Sequence, residues 1–191
     1  MSLGELRFLL SQEKLTLRDP QRWSDTNDSY YLELYRKKMG FSSVLALCFT
    51  QSSERFHHWE AFGNRKDKTD RAKIKFKRRA LIDAIKLEPR LKYDEVQYLK
   101  MNDIKARLLK REELPFIKRW GYNHEREFRI IYESMEQAPS NCDFHVPLSC
   151  INKITLSPWL SYSDFRTLKD ELRQIKNCNE LRIERSTLIE Q

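Results

Sequence analysis

The sequence is poor in the residues and runs that mark several protein classes. It has four glycines, six prolines and four cysteines in 191 residues. The cysteines form no CxxC pair, which argues against a zinc site and against a disulfide framework. A mean hydropathy of -0.74, without a long uncharged apolar run, predicts no membrane span. Because the first residues also lack a signal-peptide pattern, we expect a protein of the reducing cytoplasm with no membrane contact.

Known catalytic signatures are absent as well. The sequence contains no P-loop, GxGxxG, GxSxG or kinase pattern. Cys48 follows the apolar run that begins at Val44, which predicts a free, buried thiol. A metal site is not expected, because the cluster His57 to Glu60 lacks an HxxxH spacing or a further ligand pattern.

The hydrophobic pattern predicts an α+β fold in a single domain over residues 1–191. Strands alternate with short helices without regular βαβ spacing, which favours a largely antiparallel central sheet with flanking helices. The expected helices cover an N-terminal segment around Leu6, Tyr30 to Lys38 (ended by Gly40), Ser53 to Phe62, Leu81 to about Pro89, Asn102 to Glu113, and a segment from near Ser163. The expected strands cover Val44 to Thr50, Ala72 to Lys77, Tyr93 to Tyr98, Trp120 to Glu133, Phe144 to Leu148, Ile151 to Leu156, and an edge strand in Glu180 to Arg185.

Positive charge is concentrated in one segment. Residues 65 to 79 hold nine Lys or Arg against two Asp, a net +7 out of +8 for the whole chain. Such a cluster attracts phosphate-rich partners. The candidate nucleic-acid or phosphate-binding residues are Lys73, Lys75, Lys77, Arg78 and Arg79. A solvated loop and strand face is the alternative interpretation.

The best candidate for a working site is the segment His124 to Arg129, which the pattern places on a strand. Side chains two apart share a face, so Glu125, Glu127 and Arg129 are expected on one side, with the two glutamates about 7 Å apart at Cα. The other side, expected to face mostly the core, carries Arg126, Phe128, Ile130 and Tyr132. Paired carboxylates share a proton and divide catalytic roles. An ion-pair ladder on a solvated face is the alternative.

A second candidate cluster surrounds His58 and Trp59. We expect these two side chains to line a substrate or to lie at the edge of the core. The nearby strand end at Thr50 is a position where functional side chains commonly emerge.

Several short motifs occur in an order that resembles a bacterial family. They are the segment Pro20 to Asp25 with Trp23, the strand end Cys48-Phe49-Thr50, the segment His58 to Phe62, the strand Lys73 to Phe76, and the aromatic and acidic block Tyr122 to Arg129. Together they resemble the bacterial domain-of-unknown-function family 2971 over residues 6 to 160. The sequence departs from that pattern at Thr26, at Phe62 and over Lys68 to Arg71.

The resemblance implies an effector or toxin of a mobile element or antiviral defence system. A looser analogy to ADP-ribosyltransferase-like folds implies NAD or a nucleotide as substrate, with no cofactor fixed beyond that. By this analogy Glu127 is the catalytic glutamate, Thr50 and His58 line the pocket, and Arg22 meets the pyrophosphate.

Three functional hypotheses follow. The first is an enzyme acting on NAD or a nucleotide, with Glu127, Glu125 and His58 as catalytic groups. Its substrate-binding residues are expected to be Arg22, Trp23, Thr50, Trp59, Tyr122 and Arg129. The second is a nucleic-acid-binding module or nuclease-like effector that uses the segment 65 to 79 and has a nucleic acid or nucleoprotein partner. The third is a non-catalytic partner subunit whose basic face binds an acidic protein or a protein–nucleic-acid complex.

Overall fold

The computed structural model describes residues 1–23, 25–61, 66–107, 109–136 and 140–189. The chain divides into two compact units. The first unit comprises Met1–Leu15, Glu54–Leu87 and Phe144–Gln191, and the second comprises Thr16–Ser53 and Glu88–Asp143. Neither unit is a continuous stretch of chain. The single domain over residues 1–191 stays a prediction.

Both helices and strands are well represented in the described residues. The α-helices are α1 (Leu3–Gln12), α2 (Thr26–Met39), α3 (Phe56–Ala61), α4 (Arg78–Lys86), α5 (Met101–Ala106) and α6 (Tyr162–Gln174). The strands are β1 (Lys14–Arg18), β2 (Ser43–Thr50), β3 (Ala72–Phe76), β4 (Leu91–Glu95), β5 (Gln97–Leu99), β6 (Ile117–Arg119), β7 (Glu127–Ser134), β8 (Asn141–His145), β9 (Ile151–Leu156) and β10 (Ile183–Arg185). Short 3₁₀ helices cover Pro20–Arg22, Arg111–Phe116, Trp120–Glu125 and Leu148–Cys150.

The largest sheet has five strands in the order β4-β7-β2-β1-β8. β2 runs antiparallel to β1 and β7, and β7 runs antiparallel to β4. Cys48 lies opposite Arg129, and Thr50 lies opposite Glu127. Directly opposed residues share a face of the sheet, so these four side chains are neighbours. The pair β5 and β6 forms a separate two-stranded parallel sheet.

Helix α2 packs against this face of the sheet. Its N-cap Asp25 accepts hydrogen bonds from the first free backbone N–H groups, and Gly40 ends it in the left-handed conformation with φ of 73°. The helix has an apolar side because leucine and tyrosine recur along it, and this side joins a buried cluster. The cluster consists of Leu32, Tyr35, Val44, Ala46, Leu114 and Ile131.

The first unit contains a three-stranded sheet in the order β10-β9-β3. β3 is antiparallel to β9, whereas β10 is parallel to it. Helix α1 starts with a capping box formed by Ser2 and Glu5, and α6 starts at the N-cap Ser161. Each longer helix of this unit buries one apolar stripe. The stripes are Leu6, Leu9 and Leu10 in α1, Leu81, Ala84 and Ile85 in α4, and Phe165, Leu168 and Leu172 in α6.

The predicted fold class is confirmed. The protein is α+β, with a mostly antiparallel five-stranded sheet and flanking helices. The strand predicted at Val44 to Thr50 and the alternating strand from Ala72 are both present, and Gly40 ends its helix as expected.

Other predicted elements need correction. The helix expected over Asn102 to Glu113 ends at Ala106, because the backbone of Arg107 is extended, and a separate 3₁₀ helix covers Arg111–Phe116. The single strand expected over Tyr93 to Tyr98 is two strands in different sheets. The helix predicted to start at Ser53 starts at Phe56; its predicted end, Phe62, lies outside the described residues, as do Ser24 and Arg65.

The burial of Cys48 was also wrongly predicted. The apolar run of β2 is buried from Val44 to Ala46, but beyond that point the strand becomes more accessible and Cys48 is exposed. Among the described residues, no helix combines the length and apolar character needed to cross a bilayer.

The left-handed residue at the end of α2 gives a test of the fold. A Cβ on Gly40 would meet no atom within 4 Å, so Gly40→Ala probes the backbone conformation alone. We expect a loss of about 1 kcal/mol in the free energy of unfolding, measured by urea denaturation. Gly121→Ala is the matched control, because its Cβ also has free space and its φ lies outside the left-handed range. Equal effects of the two substitutions would contradict the assigned helix end.

Candidate active site

The segment before β7 is not the straight strand that the alternation predicted. Trp120–Glu125 forms a 3₁₀ helix, and Arg126 adopts a left-handed conformation with φ of 45° before the strand begins at Glu127. This turn leaves Arg126 exposed instead of facing the core. It also brings the carboxyl groups of Glu125 and Glu127 to the same ammonium group, since both accept a hydrogen bond from Lys118 Nζ. In an extended strand their Cα atoms alone would be about 7 Å apart.

Hydrogen bonds hold this turn in place. Thr50 Oγ1 donates to the carbonyl oxygen of Glu125 at 2.5 Å. The backbone N–H of Gln51 donates to the carbonyl oxygen of Arg126 at 3.0 Å. The N–H of Glu127 donates to the hydroxyl of Tyr98 at 2.8 Å. The position of the carboxyl pair is therefore fixed by the end of β2 and by β5.

Arg129 is the buried cation of the site. Its side chain has no exposed surface, and its Nη2 lies 2.6 Å from Asp28 Oδ2 and 2.8 Å from Glu127 Oε2. Its Nη1 donates to the carbonyl oxygen of Pro115 at 2.8 Å, and its Nε contacts Cys48 Sγ at 3.3 Å. A buried charge is tolerated only when it is paired and hydrogen-bonded in this way.

Lys118 is the second cation. Its Nζ lies 2.7 Å from Glu125 Oε2 and 3.6 Å from Asp28 Oδ2, and it also donates to Glu127 Oε1. The ammonium group lies 4.8 Å from the centre of the Tyr122 ring. Lys118 thus joins all three carboxyl groups. We call Asp28, Lys118, Glu125, Glu127 and Arg129 the charge cluster.

The charge cluster holds three carboxyl groups against two cations, which favours the retention of one proton. Burial, together with the hydrogen bond to Glu127, raises the pKa of Glu125. Burial also acts to raise the pKa of Glu127, but the hydrogen bond from Glu125 and the charges of Arg129 and Lys118 outweigh it and lower that pKa. These opposite shifts make Glu125 the more readily protonated member of the pair and favour the ionised form of Glu127.

Asp28 and Lys118 complete this electrostatic balance. Burial raises the pKa of Asp28, although Arg129 and Lys118 act against that rise. Burial acts to lower the pKa of Lys118, but the surrounding glutamates outweigh it and raise that pKa. Lys118 therefore stays charged. Asp28 Oδ1 is buried without a hydrogen-bond partner among the described residues, which adds to the cost of ionising this carboxyl group.

The structure brings together six of the predicted site residues. The guanidinium carbon of Arg129 lies 5.6 Å from the centre of the Trp23 ring, so Trp23 borders the cluster. The group is Trp23, Thr50, Tyr122, Glu125, Glu127 and Arg129. Arg22 ends the neighbouring 3₁₀ turn and is exposed; its side chain makes no hydrogen bond or ion pair within the described ranges.

The remaining predicted site residues belong to the first unit. Trp59 is buried, and its indole N–H donates to Glu54 Oε1 at 2.8 Å. His58 is partly buried in the same helix. Among the basic residues, Lys73 pairs with Glu54 at 3.2 Å, whereas the others are exposed. The exposed ones are Lys75, Lys77, Arg78 and Arg79.

Sequence reasoning left out Asp28 and Lys118 as site residues. Lys118 lies in a polar and aromatic stretch just before the acidic block, so its proximity in sequence was a usable signal. Asp28 is 101 residues away from Arg129 in sequence. An aspartate in the first turn of a helix predicts only a favourable interaction with the helix dipole. No signal in the sequence connects it to Arg129.

A cavity of about 410 Å³ also lies in the second unit. It shares no described lining residue with the charge cluster, and its wall includes Glu33 and Arg36, which form a double hydrogen bond at 2.7 Å. We assign the candidate site to the charge cluster, because five ionisable side chains converge there, whereas Glu33 and Arg36 in this cavity pair with each other. Within the described ranges, no group of three or more His, Cys, Asp and Glu side chains is arranged to hold a metal ion.

Comparison with models of known protein families, with curated proteins and with solved structures found no match to this chain. The resemblance to family 2971 stays a prediction, as do the roles that it implies.

The buried position of Arg129 gives a direct stability test. Arg129→Met removes a fully buried cation and leaves Asp28 and Glu127 facing each other across the site. We expect a loss of about 3–5 kcal/mol in the free energy of unfolding, measured by urea denaturation. Arg126→Met, an exposed position on the same segment, should change stability by less than about 0.5 kcal/mol. A small effect of Arg129→Met would show that the cluster is not buried as described.

The raised pKa of Glu125 predicts a pH-dependent stability difference. A carboxyl group whose pKa is higher in the folded state stabilises the fold below its unfolded pKa, and this contribution is lost as the pH rises through the folded value. Glutamine cannot ionise, so Glu125→Gln does not lose stability in this way as the pH rises. The stability of this variant relative to the unmodified protein should therefore increase from pH 4.5 to pH 8 in urea titrations.

Glu112→Gln is the control for this pH series, because Glu112 is an exposed carboxylate of the same unit. Its effect on the free energy of unfolding should be small at both pH values. A pH-independent effect of Glu125→Gln would contradict the proton that we assign to Glu125.

Proposed function

We propose that the second unit carries an acid–base catalytic site in which Glu125 is the proton donor. The placement of Glu125 and Glu127 around the one ammonium group of Lys118 carries this proposal. Of the five cluster residues, Glu125 has the most exposed side chain, at 15%. A protonated carboxyl group at the edge of a buried ion-pair network is a suitable general acid.

Glu127 is a positioning residue in this proposal. Its charge is balanced by Lys118 and Arg129, and only 7% of its side chain is exposed. It is therefore less able to reach a substrate than the resemblance implied. Its role is to hold the proton on Glu125 and to orient that carboxyl group, while Lys118 stabilises the carboxylate after the proton has left.

We propose a nucleotide as the substrate and hydrolysis of its N-glycosidic bond as the reaction. Glu125 protonates the leaving base, the bond between base and sugar breaks, and the new carboxylate stabilises positive charge on the sugar carbon. Water adds to that carbon and returns its proton to Glu125. A purine or pyrimidine leaves more readily when protonated, whereas nicotinamide leaves NAD as a neutral base. The proton donor therefore favours a nucleotide over NAD.

The aromatic rings at the site support this substrate class. Trp23 and Tyr122 each lie against a cation of the cluster and offer surfaces on which a base can stack. Tyr122 and Glu125 are three residues apart on a 3₁₀ helix, so they share one side of it. An enzyme that consumes nucleotides also fits the effector or toxin role that the resemblance implies.

Glu125→Gln tests the proposed proton donor. Purified protein is incubated with adenine and guanine nucleotides and with NAD, and release of the free base is measured by chromatography. We expect a decrease in kcat of about 100-fold or more with little change in KM, because only the proton transfer is removed. Glu136→Gln, an exposed loop position of the same unit, is the control and should retain activity.

The pH profile separates the roles of the two glutamates. The rate should fall as the pH rises through the raised pKa of Glu125, because the acid form is required. Glu127→Gln removes the charge that holds the proton, so the alkaline limb of this profile should move to lower pH. Full activity of Glu125→Gln, or no base release by the unmodified protein, would reject the proposal. The second result would favour a non-catalytic subunit.

A further inference from the structure

The first unit contains a polar groove that the proposed reaction does not use. Its cavity has a volume of about 340 Å³. Lys77 is held at one side by a hydrogen bond from its backbone N–H to the carbonyl oxygen of Cys150 at 2.8 Å. Asn152 lies on β9, and Asn177 occupies a left-handed turn after α6 with φ of 65°. The groove therefore lies between the N-cap residue of α4, strand β9 and the turn after α6.

Four polar side chains line this groove without a partner of their own. Lys77, Ser149, Asn152 and Asn177 make no side-chain hydrogen bond or ion pair with any residue that the structure describes. They offer an ammonium group, a hydroxyl group and two amides. These groups are the usual donors to phosphate oxygens in nucleic-acid complexes.

The cations in the groove and close to it in sequence suit an anion with several phosphates better than a single phosphate. Glu180 lines the groove and opposes an anion, and Arg182 is engaged by Glu184 at 2.6 Å. Lys77 is the lining cation that forms no ion pair with a residue that the structure describes. Close to Lys77 in sequence, three further cations are exposed: Lys75 on β3, and Arg78 and Arg79 in the first turn of α4. Several exposed cations suit a chain of phosphates better than a single phosphate.

We propose that this groove binds the phosphodiester backbone of a single-stranded nucleic acid. A volume of about 340 Å³ is at the small end of the range for ligand sites and suits one nucleotide unit. The rest of the nucleic-acid chain would contact the exposed cations Lys75, Arg78 and Arg79. The proposal is independent of the catalytic site, because the groove and the charge cluster share no residue.

The test is fluorescence anisotropy with labelled 12-nucleotide single-stranded RNA and DNA at several salt concentrations. Lys77→Glu should weaken binding about tenfold or more and lower the slope of log affinity against log salt by about 0.7, the value for one lost contact. Lys86→Glu is the matched control. It makes the same charge change at an exposed position of α4 outside the groove, and it should weaken binding less than about twofold.

Asn177→Gly provides a second variant without a change in charge. Glycine keeps the left-handed turn but removes the amide, so binding should weaken about threefold while the fold is retained. Glu125→Gln should bind the oligonucleotides as the unmodified protein does, which separates this proposal from the catalytic one.

Three outcomes would overturn the groove proposal. Equal losses for Lys77→Glu and Lys86→Glu would show that only overall charge matters. Displacement of the oligonucleotide by millimolar inorganic phosphate would show a site for a single anion. Tighter binding of duplex than of single strands would assign the surface to double-stranded nucleic acid.

Discussion

The positive charge of Arg129 is the constraint on which the second unit depends. Its side chain has no contact with solvent, yet it lies on β7 between β4 and β2. A guanidinium group cannot lose its charge in such a place, so the surrounding chain must supply acceptors. Asp28 on α2, Glu127 on β7 and the carbonyl of Pro115 supply them. The helix, the sheet and the 3₁₀ segment before β6 are thereby tied to one group.

Lys118 extends this constraint to the candidate site. Three carboxyl groups lie against only two cations in this cluster, so they cannot all be ionised at equal cost. The raised pKa of Glu125 and the lowered pKa of Glu127 favour a proton on Glu125, the carboxyl group nearest to solvent. The acid–base role that we propose for Glu125 therefore follows from the balance of charges within the charge cluster. The same interactions that stabilise the fold set the protonation state of Glu125.

The sequence predicts the sheet better than it predicts the site. Val44 to Ala46 and the alternation from Ala72 identify strands because burial imposes a period of two. The same period fails at Glu125, since the left-handed backbone of Arg126 interrupts it and nothing in an arginine signals that conformation. The sequence could not assign Asp28 to the site either, because its partner Arg129 is about a hundred residues away along the chain. The sequence predicted that Glu125, Glu127 and Arg129 lie close together, but it did not predict the burial of their charges.

Strand β7 carries both buried residues of the interior and residues of the candidate site. This arrangement affects how variants of the protein would behave in a cell. Most substitutions in the charge cluster would lower the amount of folded protein before any effect on chemistry became visible, since unpaired buried charges shift the balance toward the unfolded chain. A genetic screen for inactive variants would thus recover cluster positions mainly through low abundance. Glu125, which lies outside the strand and at the solvent edge, is the position where loss of activity and normal abundance could coexist.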